Sequence, residues 1–170
     1  MASNCVRVTG LAGLFAEARA LSVRTMIFDV EPLVALWHCS QDSLDQGIAR
    51  ILADARTVPS VRVVVFATNS ARRPSSVPDC DGLQVRYLAS ADKPLRTAPY
   101  HDLPRPGAVA GDQLPTDGIL AYRLGVYVLA LLAGTDRRSA LARAHASLGQ
   151  AGAPGAVPAV GHRPVTTVTA

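Results

Sequence analysis

The stretch VRVVVFAT, residues 61–68, decides the class of fold of this chain. Valine dominates it, and β-branched side chains favour extended backbone. Apolar residues occupy both faces of the run, with little of the alternation typical of a strand that has one face in water. Strands covered on both faces occur in parallel sheets flanked by helices. The stretch therefore predicts a central strand of a parallel sheet in an α/β protein.

Apolar runs and helical spacings extend this pattern along the chain. Further strands are predicted at residues 25–30, 83–89, 107–112 and 126–133. Helices are predicted at residues 11–22, 41–56 and 115–125. Strands that alternate with helices predict a three-layer α/β/α, Rossmann-like protein with a parallel sheet of about five strands.

The sequence divides into a core domain and less regular ends. Residues 1–22 are predicted to be a loose lead-in, up to residue 10, followed by a short helix, and residues 23–134 to be the core domain. A C-terminal helix is predicted at 135–150. Residues 151–170 are rich in Gly, Pro and Ala and are predicted to be a flexible tail, because they cannot bury enough apolar surface to offset their ordering entropy.

Composition excludes several classes of protein. Aromatic residues make up 5% of the chain, too few for a binder that stacks single-stranded bases, and the net charge of +4 comes from scattered arginines, so no nucleic-acid partner is expected. The three cysteines are far apart, which argues against disulfides or a zinc site and favours a cytoplasmic location. No signal peptide is visible, and the longest apolar run, 126–133, is too short to span a bilayer.

Polar side chains follow successive predicted strands at the point where each strand ends. These residues are Asp29, Glu31, Thr68, Asn69, Lys93, Asp112 and Asp117. Ligands of parallel α/β sheets bind outside the carboxyl ends of the strands. Clustered carboxylates are tolerated around Mg²⁺, which prefers oxygen ligands, and a lysine and a hydroxyl beside it would bind phosphate oxygens. A carboxylate in such a site can attack phosphorus.

The same order of residues resembles the haloacid dehalogenase (HAD) superfamily. Its four motifs are similar to MIFDVE (26–31), VVVFATN (63–69), SADKP (90–94) and GDQLPTD (111–117). The resemblance covers about residues 23–131 and implies a HAD fold. Short spacings between the motifs leave room for a minimal cap or none. The third and fourth motifs, with the RLGVY that follows them, look most like the small branch related to phosphatidylglycerophosphate phosphatases.

The resemblance implies a role for each catalytic and substrate-binding position. Asp29 would be the nucleophile that forms a phosphoaspartyl intermediate, and Lys93 would neutralise that carboxylate and the phosphate. Thr68 and Asn69 would contact the substrate. Glu31 would be the general acid and then the general base, although the family has Asp there. The extra methylene moves the carboxyl group, a displacement that can cost on the order of 100-fold in rate.

The resemblance also implies the metal site. The implied Mg²⁺ ligands are Asp29, Asp112, Asp117 and, through its backbone carbonyl, Glu31. Two other roles are open for Asp117. It could orient the metal shell or Lys93, or it could accept hydrogen bonds from free N–H groups in the first turn of a helix.

Two functions remain open at this point. The first is a Mg²⁺-dependent phosphatase acting on a small phosphorylated metabolite or a phospholipid headgroup. The second is a catalytically degenerate HAD-fold protein that serves as a binding or scaffold protein, which Glu31 and the prolines in segments 70–82 and 94–107 favour. Because proline breaks helix interiors, both crossovers are predicted to lack a full helix.

Overall fold

A computed structural model describes residues 5–131, and its centre is a parallel sheet of six strands. The strands are β1 (Cys5–Val8), β2 (Thr25–Asp29), β3 (Val63–Ala67), β4 (Gln84–Leu88), β5 (Gly107–Gly111) and β6 (Tyr127–Leu131). Their order in the sheet is β1-β6-β5-β2-β3-β4, and every neighbouring pair is parallel. The parallel α/β class is therefore confirmed. The helix predicted at 135–150 and the tail at 151–170 lie outside the described residues.

The prediction for the N-terminus is wrong in one respect. Residues 5–8, expected to belong to a loose lead-in, form β1 and pair with β6, so the sheet has six strands rather than about five. The strand is only four residues long and contains Arg7, so no apolar run marks it in the sequence. Pairing with β6 makes these four residues a strand, which their own sequence does not indicate.

The helices of the described residues are α1 (Gly10–Ala20), α2 (Gln41–Arg56) and α3 (Ile119–Leu124). The bounds predicted for α2 are confirmed, and Ser40 caps it by accepting a hydrogen bond from the Ser43 N–H at 3.2 Å. The predicted helix 115–125 is shorter than expected. Its first part, Leu114–Gly118, is a π-helical turn that contains Pro115, and Gly125 ends α3 in the left-handed region at φ 65°.

The two faces of the sheet carry separate apolar cores. On one face, α1 and α2 pack against strand residues that include Phe28 and Phe66. On the other face, α3 packs against residues that include Val65. The predicted loss of crossover helices is confirmed: residues 68–83 contain no helix, and residues 89–106 contain only the 3₁₀ turn Ala98–Tyr100. Buried Tyr100 and Leu103 contact the sheet in place of a crossover helix.

The chain order places a crevice at the centre of the sheet. From β2 the chain runs outward to β3 and β4, and it then resumes at β5 on the opposite side of β2 and continues to β6. Connections therefore diverge in opposite directions at the carboxyl ends of β2 and β5. Such a switch point is the usual ligand site of an open α/β sheet. Among residues 5–131, no helix has the length and apolar character needed to cross a membrane.

Candidate active site at the carboxyl edge of the sheet

One lysine and two aspartates form a buried ion-pair cluster at the switch point. Asp29 is the last residue of β2, Lys93 lies in the loop after β4, and Asp117 lies in the turn after β5. The Lys93 Nζ is 2.8 Å from Asp29 Oδ1 and 3.0 Å from Asp117 Oδ1. The side chains of Lys93, Asp29 and Asp117 are 3%, 8% and 2% exposed. Water screens these charges little, so they interact far more strongly than surface pairs do.

The cluster shifts the pKa values of Asp29 and Lys93. Burial raises the pKa of Asp29 well above its usual range, the nearby Asp117 raises it further, and Lys93 opposes both. Burial by itself lowers the pKa of Lys93, but the charges of Asp117 and Asp29 outweigh it and raise that pKa. The ammonium therefore stays charged at neutral pH. Two carboxylates share one cation, so a proton or a second cation would stabilise the cluster.

A third aspartate joins this edge of the sheet from the end of β5. One carboxylate oxygen from each of Asp29, Asp112 and Asp117 lies within 4.8 Å of the others. The donors are all carboxylate oxygens, which hard cations such as Mg²⁺ prefer and which suit Zn²⁺ less. The residues present therefore fit a magnesium ion. Glu31 is not part of this group, and metal contact through its backbone carbonyl stays a prediction.

The glycine before Asp112 explains how the turn after β5 is built. A Cβ atom at Gly111 would overlap the carboxylate of Asp117, so only glycine lets that side chain pass over the strand end. The Gln113 N–H donates to Asp117 Oδ2 at 3.3 Å and fixes the carboxylate further. The spacing of Gly111, Asp112 and Asp117 in the sequence thus corresponds to one packed turn.

Asn69 holds the backbone of Lys93. Its Nδ2 donates to the Lys93 carbonyl at 2.9 Å, and its Oδ1 accepts from the Lys93 N–H at 2.7 Å. Both ends of the side-chain amide are engaged by backbone. This residue therefore positions Lys93, and the substrate contact expected for Asn69 stays a prediction.

Glu31 and Thr68 form a second buried polar contact beside the aspartates. Glu31 is 2% exposed and Thr68 is 0% exposed. The Thr68 hydroxyl donates to Glu31 Oε2 at 2.6 Å. The register of the sheet brings these two side chains together, because Asp29 of β2 lies opposite Ala67 of β3. Glu31 follows Asp29 in the chain, and Thr68 follows Ala67. The longer glutamate side chain thus contacts the hydroxyl that we expected to bind a phosphoryl oxygen.

Ser70 completes this contact and was not identified from the sequence. Its N–H donates to Thr68 Oγ1 at 2.9 Å, and its hydroxyl lies 3.5 Å from Glu31 Oε1. Nothing in the sequence distinguishes this serine from the other small polar residues of segment 70–82. Its role depends on the backbone turn after β3, which local pattern does not predict.

Arg72, in the loop after β3, forms hydrogen bonds to the loop that joins β2 to α2. Its guanidinium donates to the carbonyls of Leu36, Cys39 and Ser40 at 2.9, 2.9 and 2.8 Å. These carbonyls belong to the loop that joins β2 to α2. On this loop, the side chain of Trp37 is 54% exposed.

Among residues 5–131, nothing covers the remaining side of the site. A shallow depression beside the cluster is lined by Asn69, Asp92, Lys93, Leu95 and Arg96. The minimal cap that the motif spacing implies stays a prediction.

Lys93 and Tyr100 each have a property that the spacing of the motifs does not indicate. Lys93 is the only lysine in the whole chain, against many arginines, and a unique residue type is a candidate for a specific role. Tyr100 is fully buried near the cluster, and its hydroxyl has no hydrogen-bond partner among residues 5–131. Burial raises the pKa of Tyr100 to about 12.

Comparisons of this chain with protein-family models, with curated proteins and with solved structures find no match. The resemblance to the HAD superfamily therefore rests on the quoted motifs alone. The geometry itself describes a buried anionic edge with one cation, arranged at a switch point. Such a site can bind a divalent cation and hold a carboxylate nucleophile next to an ammonium.

Proposed function

We propose that this chain is a Mg²⁺-dependent phosphatase that hydrolyses a phosphomonoester through Asp29. One observation carries the proposal. Three aspartates from two strand ends lie together at the switch point, and the only lysine of the chain bridges two of them. A buried carboxyl with a strongly raised pKa, as Asp29 has, is typical of a catalytic site in a crevice. The substrate class is a small phosphorylated metabolite or a phospholipid headgroup.

The reaction takes place in two steps. An Asp29 carboxylate oxygen attacks phosphorus, the bond from phosphorus to the leaving oxygen breaks, and that oxygen takes a proton from Glu31. Water then attacks the phosphoaspartyl group, gives its proton to Glu31 and releases phosphate and free Asp29. Lys93 keeps the Asp29 carboxylate in place and neutralises charge. Mg²⁺ held by Asp29, Asp112 and Asp117 would supply further positive charge next to the phosphoryl oxygens.

The test compares the full chain with matched aspartate variants. Purified protein is assayed with Mg²⁺ against an aryl phosphate and a panel that includes phosphatidylglycerophosphate. Asp29→Asn removes the nucleophile with little change of volume, and Asp81→Asn makes the same change at an exposed loop position. We expect phosphate release by the wild type and by Asp81→Asn, and a loss of at least about 1,000-fold in Asp29→Asn. Equal release by wild type and Asp29→Asn would refute the mechanism.

A second candidate function is a catalytically degenerate binding or scaffold protein of the same fold. The contact between Thr68 and Glu31 favours it, because a hydroxyl needed for phosphate is engaged by a carboxylate. The discriminating variant is Glu31→Asp, which shortens that side chain. Activity that rises in Glu31→Asp supports a phosphatase with a slow general acid. Absence of release in the wild type and in Glu31→Asp, with both proteins folded, supports the scaffold.

A further inference from the structure

The loop that carries Lys93 has no helix or strand of its own between residues 89 and 97. From the β3 side, hydrogen bonds hold its first half. The Ala91 N–H donates to the Thr68 carbonyl at 2.8 Å, and the Asn69 side chain bonds to both backbone groups of Lys93. These contacts fix the loop up to Lys93, so the position of the residues that follow depends on other contacts.

Arg123 of α3 holds the loop just beyond Lys93. Its Nη1 donates to the carbonyls of Pro94 and Leu95, both at 2.7 Å. A terminal guanidinium nitrogen carries two hydrogens, so each carbonyl can accept one of them. Pro94 has no N–H, and the Leu95 N–H donates to the Asp92 carbonyl within the loop. Within the described part of the chain, the hydrogen bonds that join this pair to another element therefore come from Arg123.

Arg123 belongs to the same helical segment as Asp117. The π-helical turn Leu114–Gly118 leads directly into α3, with no residue between them. Asp117 contacts the Lys93 ammonium at 3.0 Å, and Arg123 contacts the backbone that follows Lys93. One continuous segment therefore holds Lys93 at two points, through its side chain and through the loop backbone. This double attachment sets the distance between the loop and the aspartate turn.

The exposure of Arg123 favours a role in geometry over a role in stability. Its guanidinium bonds to carbonyls near the surface, where water can replace it. The ammonium of Lys93, by contrast, is buried at 2.8 Å from Asp29 and 3.0 Å from Asp117. Moving a group in a catalytic site by about 1 Å can cost on the order of 100-fold in rate. Small movements of this loop therefore matter more to the site than to the fold.

We propose that Arg123 is a positioning residue for the only lysine of the chain. Its two hydrogen bonds hold the loop from the α3 side, so that the Lys93 ammonium stays between Asp29 and Asp117. Arg123 acts through the backbone of this loop. The geometric part of the inference concerns Lys93 alone, whereas its consequence for the rate rests on the proposed function.

The first test follows the Lys93 ammonium by nitrogen-15 NMR of lysine-labelled protein at one fixed pH. A single lysine gives a single side-chain signal, and the exchange of its hydrogens with water reports how often the loop opens. Arg123→Met keeps a similar helix propensity and removes the donors. Arg50→Met makes the same change at an exposed position of α2. We expect exchange about five- to tenfold faster in Arg123→Met and unchanged in Arg50→Met.

A second anchor of the loop provides a positive control. Asn69→Ala removes the two hydrogen bonds to the backbone of Lys93 from the β3 side and should also speed the exchange. In the aryl phosphate assay with Mg²⁺, kcat of Arg123→Met should fall on the order of 10-fold, because a displaced ammonium supports the reacting groups less well. Arg50→Met should keep the kcat of the wild type. Circular dichroism checks that every variant is folded.

The outcomes separate this inference from the proposed function. Exchange in folded Arg123→Met that matches the wild type overturns the inference, as does a variant that fails to fold, which would show a role in stability instead. Absence of a Lys93 ammonium signal from the folded wild type also overturns it. Unchanged kcat in a protein with Asp29-dependent hydrolysis overturns it and leaves the phosphatase proposal standing. Faster exchange in Arg123→Met, without hydrolysis by the wild type, supports the positioning role and rejects the phosphatase.

Discussion

Replacing Lys93 by Met tests whether its ammonium holds the site together. The change keeps the unbranched stem and removes the charge. The Nζ is 2.8 Å from Asp29 and 3.0 Å from Asp117, and the lysine side chain is 3% exposed. Removing one member of a buried ion pair typically costs about 3–5 kcal/mol, because it leaves a buried charge without its partner. We expect a loss of that size in the free energy of unfolding at pH 8, measured by urea unfolding and circular dichroism.

The loss should depend on pH in a definite direction. The folded-state pKa of Asp29 is already raised above its ordinary value of 3.8, mainly by burial and then by Asp117. Removing Lys93 takes away the cation that opposes this rise. The folded variant then binds more protons than the unfolded chain as pH increases above about 4, so its stability falls with increasing pH. The difference between Lys93→Met and wild type should therefore be smaller at pH 5 than at pH 8.

A surface pair provides the control for this experiment. Arg86 and Asp102 lie 2.9 Å apart, with side chains 29% and 64% exposed. Arg86→Met should cost less than about 1 kcal/mol, because exposed pairs contribute little. Added Mg²⁺ should restore more stability to Lys93→Met than to wild type, since a cation would again lie among the carboxylates. A loss in Lys93→Met no larger than that in Arg86→Met, at both pH values, would refute the reasoning.

Three other predictions concern the packing and charge of single residues. A Cβ atom at Gly47 of α2 would overlap the carbonyl oxygen of Val34, so Gly47→Ala should destabilise the protein. At Gly13 of α1 the nearest atom is 3.9 Å away, so Gly13→Ala should stabilise the protein by about 0.5–1 kcal/mol, as measured by urea unfolding. Stabilisation by both changes would contradict the packing argument. Tyr100→Phe removes a buried hydroxyl that has no partner among residues 5–131 and should raise the free energy of unfolding by about 1 kcal/mol. It should also remove from the alkaline absorbance titration one phenol that ionises only near pH 12, and an unchanged titration would count against its burial. Nitrogen-15 labelling of lysine should give one side-chain ammonium signal, from Lys93. The pKa of Lys93 lies above the ordinary 10.5, because the charges of Asp117 and Asp29 raise it by more than burial lowers it. Deprotonation of Lys93 below pH 10.5 would contradict the ion pairs.

The sequence predicts elements well where one local pattern suffices. The bounds of α2 follow from its apolar spacing and acidic first turn, and the valine-rich β3 follows from composition. By contrast, β1 is missed because its order comes from pairing with β6 and not from its own residues. The π-helical turn before α3 is missed for a similar reason, since a proline near a helix start also fits an ordinary first turn.

The same division applies to the site. Grouping Asp29, Asp112 and Asp117 at one edge requires only that parallel strands end together, and the structure brings them within 4.8 Å. The contact of Glu31 with Thr68 requires the register of β2 against β3, which the sequence does not specify. The chemistry implied by the family resemblance, including the Mg²⁺ ion and the phosphoaspartyl step, stays a prediction.

The buried charges at this edge are difficult to explain by stability alone. Asp29, Glu31, Lys93 and Asp117 are all buried, and three of these are carboxylates against a single ammonium. Replacing such groups by apolar residues of similar volume is often neutral or stabilising, because desolvation opposes the Coulomb attraction. A chain that needed only a packed core would therefore gain nothing from this arrangement. A cation bound among the aspartates would offset the excess negative charge, and the loss of stability on removing that cation from the folded protein would measure how far the site depends on it.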